Sequence, residues 1–115
     1  MKKILVLTVL MLLVFGTAAM AHPPQNITAS FNMENQMLTV EFTHTVGGEN
    51  SNHYIDQLNI MLNETEVITQ IPGKQLKNSE SFTYYMPGVT SGDTIEVIAK
   101  CSIQGDRSAS ITVGE

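Results

Sequence analysis

Short runs in which apolar and polar residues alternate, each closed by turn residues, constrain this 115-residue chain more than any other feature. "ITASF" places Ile27, Ala29 and Phe31 on one face, and "MLTVEFTH" does the same for Leu38, Val40, Phe42 and His44. "HYIDQLNIML" sets Tyr54, Leu58, Ile60 and Leu62 together, and "TIEVIAKC" aligns Ile95, Val97, Ala99 and Cys101. A period of two over such lengths describes half-buried strands. "EVITQI", "SFTYYM" and "SASITV" complete the set, with "MENQ", "NET", Pro87-Gly88, "SGD" and "QGDR" as turns and residues 72–80 as a polar connection. Seven short strands without a helical stretch predict an all-β fold, a seven-stranded antiparallel β-sandwich or barrel of immunoglobulin-like form. The tryptophan and paired cysteines of antibody domains are missing, since the chain has no Trp and one Cys.

The first 21 residues follow different rules. Lys2 and Lys3 precede the apolar run "ILVLTVLMLLVF", and Ala19-Met20-Ala21 has the small-x-small form of a cleavage site. These parts together read as a secretory signal. The apolar run is also short of the roughly 20 residues a membrane span needs. The expected mature chain is a single domain from His22 to Glu115, periplasmic or extracellular, with no membrane attachment after cleavage. Four basic residues (Lys74, Lys77, Lys100, Arg107) then stand against eleven acidic ones, a formal charge of −7. So acidic a surface has no electrostatic means of gripping nucleic acid, and it lacks a basic cluster for anionic lipid. Cys101, being alone, cannot form an intramolecular disulfide. In an oxidising compartment such a thiol is buried, paired with another chain, or committed to a metal.

His44 and Cys101 each terminate an apolar strand face, one step past residues that must point inward. His53 opens the next strand across the loop "TVGGENSN", and His22 would be the first mature residue. Every histidine and the cysteine thus fall at element ends, where functional sites gather. Imidazole and thiolate are strong ligands for borderline and soft metals. Each residue also has a bland reading: a solvated strand-end histidine, a cysteine acting as a small hydrophobe, a first residue set by chance. Asp56, Asp93 and Glu96 read as solvent-face or turn residues rather than an acid pair. No serine stands in a nucleophile elbow and no glycine-rich phosphate loop follows a strand. Asn26 and Asn63 lie in glycosylation sequons.

The order His44, loop, His53-Tyr54-Ile55 and then, about fifty residues on, "IEVIAKCSIQG" resembles the iron-binding domain of superoxide reductases, the desulfoferrodoxin and neelaredoxin family. The resemblance covers essentially the whole mature chain. It implies a seven-stranded immunoglobulin-like barrel and a mononuclear non-haem iron held by four equatorial histidines and an axial cysteine thiolate. His44 and His53 match the paired histidines, with a somewhat longer loop, and Cys101 matches the axial cysteine. Gln104 stands where the family has its final histidine. The N-terminal loop histidine is matched most nearly by His22, without the lysine that accompanies it in the family. The implied activity is one-electron reduction of superoxide or a related small oxygen species, supplied by a separate electron donor.

The departure at Gln104 gives His22 a particular interest. A free N-terminal histidine offers an imidazole and an α-amine, whose reference pKa of about 7.7–8.0 lets a metal displace its proton near neutrality. Pro23 has no amide N–H, which limits the ligands at that end to those two nitrogens, and the two prolines stiffen the arm. The α-amine is therefore expected to replace the missing histidine, giving four nitrogens from His22, His44 and His53, and the sulfur of Cys101. Iron is the metal that the resemblance implies. Copper is the alternative, because a terminal-histidine chelate resembles the histidine brace of copper proteins and copper(II) exceeds iron(II) in raw affinity. Met33 and Met37 could serve copper(I), though strand packing and turn placement account for them. Two rival readings remain: a non-catalytic copper-binding or delivery module, and a plain immunoglobulin-like interaction domain.

Overall fold

The computed structural model describes residues 23–45, 53–73, 75, 78–103 and 105–114. The expected leader, His22 and Gln104 lie outside the described residues. Seven strands form: β1 (Asn26–Asn32), β2 (Met37–Thr43), β3 (Ile55–Leu62), β4 (Thr65–Gln70), β5 (Ser79–Tyr85), β6 (Thr94–Cys101) and β7 (Asp106–Thr112). They make two antiparallel sheets, one ordered β1-β2-β5 and the other β4-β3-β6-β7. The chain changes sheet between β2 and β3, between β4 and β5, and between β5 and β6.

Alternation decides which side chains fill the space between the sheets. Ile27, Leu38, Val40 and Phe42 come from the first sheet, and Leu58, Ile60, Ile95, Val97 and Ala99 from the second, in one shared core. Each such Leu, Ile, Val or Phe, once fully buried, contributes about 1.5–3 kcal/mol. Phe42 and Phe82 stack at 5.9 Å between ring centroids, binding β2 to β5 beyond their ladder. Tyr84 packs against this core whereas Tyr85 faces solvent, the division that alternation requires.

One face assignment fails. Alternation puts Tyr54 in phase with Leu58 and Ile60, but Ile55 is the residue fully buried there. The β3–β6 register shifts between Ile55 and Gln57, leaving Asp56 as an extra residue in the ladder. Such a bulge reverses the phase of everything before it, and bulges of this kind re-aim side chains. Strand β3 accordingly begins at Ile55, two residues later than the alternation from His53 implies.

The turns also differ in detail from the sequence reading. Thr65 belongs to β4, so only Asn63 and Glu64 connect β3 to β4, with φ of 49° and 69°. Two successive positive φ values are the signature of the hairpin turn whose twist suits flanking strands. Asn63 anchors it by donating to Asp93 Oδ1 at 3.0 Å and accepting from Thr94 N at 2.9 Å.

Register fixes what meets at each end of the sheets. Thr43 of β2 is level with Asn26 of β1 and Ser79 of β5, while Ile55 of β3 is level with Cys101 of β6. The closeness of His44, just past β2, to Cys101 at the end of β6 brings the end of β2, the start of β3 and the end of β6 to one rim.

Candidate metal centre

Three of the four residues expected to bind metal gather at this rim. The potential ligand atoms of His44, His53 and Cys101 all lie within 4.8 Å of one another. His44 is 0% exposed and Cys101 8%, with His53 half-buried, so the group sits at the edge of the core with His44 and Cys101 withdrawn from bulk water. The two imidazole centroids are 4.3 Å apart with the rings tilted by 42°. His53 Nδ1 is 3.1 Å from Cys101 Sγ. Metal bonds of about 2.3 Å to sulfur and 2.0–2.1 Å to nitrogen would separate such a donor pair by about 3.1 Å at a right angle and about 3.6 Å at a tetrahedral one. The observed spacing therefore fits two donors of a single ion.

Each ligand is held by its own piece of backbone. His44 follows directly on β2, and its N–H donates to Asn78 O at 2.7 Å, which carries the inward alternation of Leu38, Val40 and Phe42 one residue further. Cys101 is the last residue of β6, where its N–H donates to Gly105 O at 3.0 Å and closes the turn into β7. Tyr54, next to His53, is clamped to that turn twice. Its N–H donates to Ser102 Oγ at 3.0 Å, and its carbonyl accepts from Ser102 N at 2.7 Å. These bonds explain how His53 reaches Cys101 although both stand outside or at the limit of a strand.

The residue that sequence reasoning missed is Gln75. It belongs to the connection read simply as polar, yet it is only 3% exposed. Its Oε1 lies 2.9 Å from His44 Nδ1 and accepts from Ile55 N at 3.2 Å, while its Nε2 donates to His44 O at 2.6 Å. One amide thus joins the end of β2 to the start of β3. No local signal separates Gln75 from the chain's other glutamines, because all three bonds span 20 or more residues of sequence.

The N-terminal arm ends at the same rim. Pro24 is fully buried, and its carbonyl accepts from Arg107 Nε at 2.6 Å. Pro23 lies directly against Gly105, where an added Cβ would stand 2.9 Å from the proline Cβ. Met33, by contrast, is an exposed turn residue, and Met37 opens β2 opposite Asn32 and Tyr85, the strand positions farthest in register from Thr43.

Two buried or half-buried imidazoles and one thiol form a donor set that can hold a first-row transition metal, the thiol losing its proton on binding. No family model matches this chain, and neither a curated protein nor a solved structure matches it.

Proposed function

We propose that the protein is an exported, mononuclear non-haem iron protein of the superoxide reductase kind, built on an immunoglobulin-like sandwich. The observation that carries this reading is the meeting of His44, His53 and Cys101 at one buried rim. Those residues supply three positions of the motif on which the family resemblance rests. The division into three and four antiparallel strands, with the chain passing repeatedly between sheets, agrees with an immunoglobulin-like plan. His22 completes the ligand set in this reading, through its imidazole and its α-amine once the leader is removed. The contact between Pro23 and Gly105 supports that role, because Pro23 adjoins His22 and Gly105 is four residues from Cys101.

An iron bound here would supply one-electron redox chemistry, with superoxide taking up one electron and two protons to give hydrogen peroxide. The protein's own contribution is to orient the donors, limit water access through the burial of His44 and Cys101, and fix the sulfur through the turn 101–105. Hydrogen bonding around a metal-bound sulfur tunes its potential. A separate one-electron carrier restores the reduced state.

Copper is the second reading, favoured by the identity of the clustered donors: two histidines and a cysteine are the trigonal set of copper electron-transfer sites. Metal analysis and electron paramagnetic resonance of protein isolated from its native export compartment separate the two. A single iron per chain with a high-spin ferric signal, together with superoxide consumption by the reduced protein, supports the iron reading. An axial copper(II) signal without bound iron overturns it in favour of copper.

A further inference from the structure

Gln75 does more than fill the gap between the sheets. Its amide meets two backbone groups of fixed polarity: the Ile55 N–H, which can only donate, and the His44 carbonyl, which can only accept. Rotating the amide by half a turn would set a donor against a donor and an acceptor against an acceptor. The side-chain oxygen is thereby fixed toward Ile55, and the same oxygen faces His44 Nδ1 at 2.9 Å. A carbonyl oxygen cannot donate, so Nδ1 must carry the proton. The ring's lone pair then resides on Nε2.

We propose that Gln75 is a positioning residue that locks His44 in the Nδ1–H tautomer and so assigns Nε2 as its metal-binding atom, an inference that rests on the proposed metal centre for its functional meaning. Ligating histidines usually donate their second ring N–H to an acceptor that sets tautomer and orientation. Backbone carbonyls, carboxylates and water fill that role most often. Here a buried side-chain amide does so, itself held by the backbone on either side. The bulge at Asp56 is part of the device, because Ile55 N–H turns to the Gln75 oxygen where the register of β3 against β6 shifts. Gln75 therefore couples the direction of the His44 ring to the start of the strand that follows His53.

The test uses nitrogen-15 NMR of histidine-labelled, metal-free protein with the rings neutral, the His44 signals assigned by their loss in His44→Gln. A protonated Nδ1 and a lone-pair Nε2 are expected. Gln75→Glu gives up the bond to His44 O but keeps an acceptor for both Nδ1–H and Ile55 N–H, and should retain that tautomer. Gln75→Leu removes the acceptor and should shift His44 toward the Nε2–H form. The same variants are titrated with cobalt(II): Gln75→Leu should bind about 10–100-fold more weakly than wild type, the range for loss of a ligand's outer partner, and Gln75→Glu should restore most of the affinity. A wild-type His44 protonated at Nε2 would overturn the proposal, even if Gln75→Leu proves too unstable to study. So would a folded Gln75→Leu that keeps the tautomer and the cobalt affinity while losing only stability. Failure of wild type to bind cobalt with the Nδ1–H tautomer intact would instead overturn the metal centre and leave the tautomer assignment standing.

Discussion

Replacing Gly105 by alanine probes whether the N-terminal arm is truly seated at the rim. Gly105 has φ of +87°, a region that a side chain enters at a cost of about 1–3 kcal/mol. The new methyl would also sit 2.9 Å from Pro23 Cβ, 3.1 Å from its Cδ and 3.2 Å from its Cα. Overpacking of that kind costs a further ~1–3 kcal/mol. Gly88 is an internal control, because it has the same φ of +87° and a Cβ there meets nothing within 4 Å. Gly88→Ala therefore reports the backbone cost alone. Urea unfolding should show Gly105→Ala less stable than Gly88→Ala by about 1–3 kcal/mol, the steric part of the loss. Where the arm relieves the clash by lifting away, the gap instead reflects lost packing of Pro24 and the loss of its bond to Arg107. Hydrogen bonds from charged groups are worth about 1.5–3 kcal/mol, which leaves the expected difference in the same range. Cobalt(II) affinity should also fall in Gly105→Ala and not in Gly88→Ala, since only the first touches both the arm that leads to His22 and the turn that closes on Cys101. Equal losses of stability in the two variants would refute the packing of Pro23 on Gly105, and with it the support for His22 as a ligand.

Two further predictions concern the frame around the site. Glu64 holds a positive φ of 69° in a two-residue hairpin turn; glycine suits that conformation, so Glu64→Gly should raise stability by about 1 kcal/mol in urea unfolding, the lower end of the left-handed penalty. Burial pushes the Tyr84 phenol up to about 12, and its hydroxyl donates to Gln70 Oε1 at 2.5 Å. A group whose pKa is raised on folding contributes stability that is complete below its unfolded value and lost as pH rises through the folded one. Stability should accordingly decline between pH about 10, the ordinary tyrosine value, and the folded value, and Tyr84→Phe should remove that part of the decline.

Much of this architecture is legible in the residue order, for a simple reason. Alternation is local, so Leu38-Val40-Phe42 and Ile95-Val97-Ala99 declare their buried face without knowledge of their partners. The inward direction of His44 and Cys101 follows from the same rule, since each merely extends an established phase. Tyr54 breaks the rule because the bulge at Asp56 depends on how β3 meets β6, a relation between segments some forty residues apart. Gln75 is hidden for a related reason: its partners at residues 44 and 55 lie far off in sequence, and an isolated glutamine between two lysine-bearing stretches looks like any solvated loop residue. The resemblance motif carried His44, His53 and Cys101 together, but it contains no position for the amide that orients them.

The central claim is that one metal ion is held jointly by sulfur and imidazole at this rim. Cobalt(II) titration of wild type, Cys101→Ser and His44→Ala, followed by optical absorption, tests it most directly. The account predicts saturation at a single equivalent in wild type, with an intense sulfur-to-cobalt charge-transfer band that vanishes in Cys101→Ser, and altered ligand-field bands in His44→Ala. A charge-transfer band unchanged by removal of the sulfur, or a wild-type protein that takes up no cobalt, would contradict it.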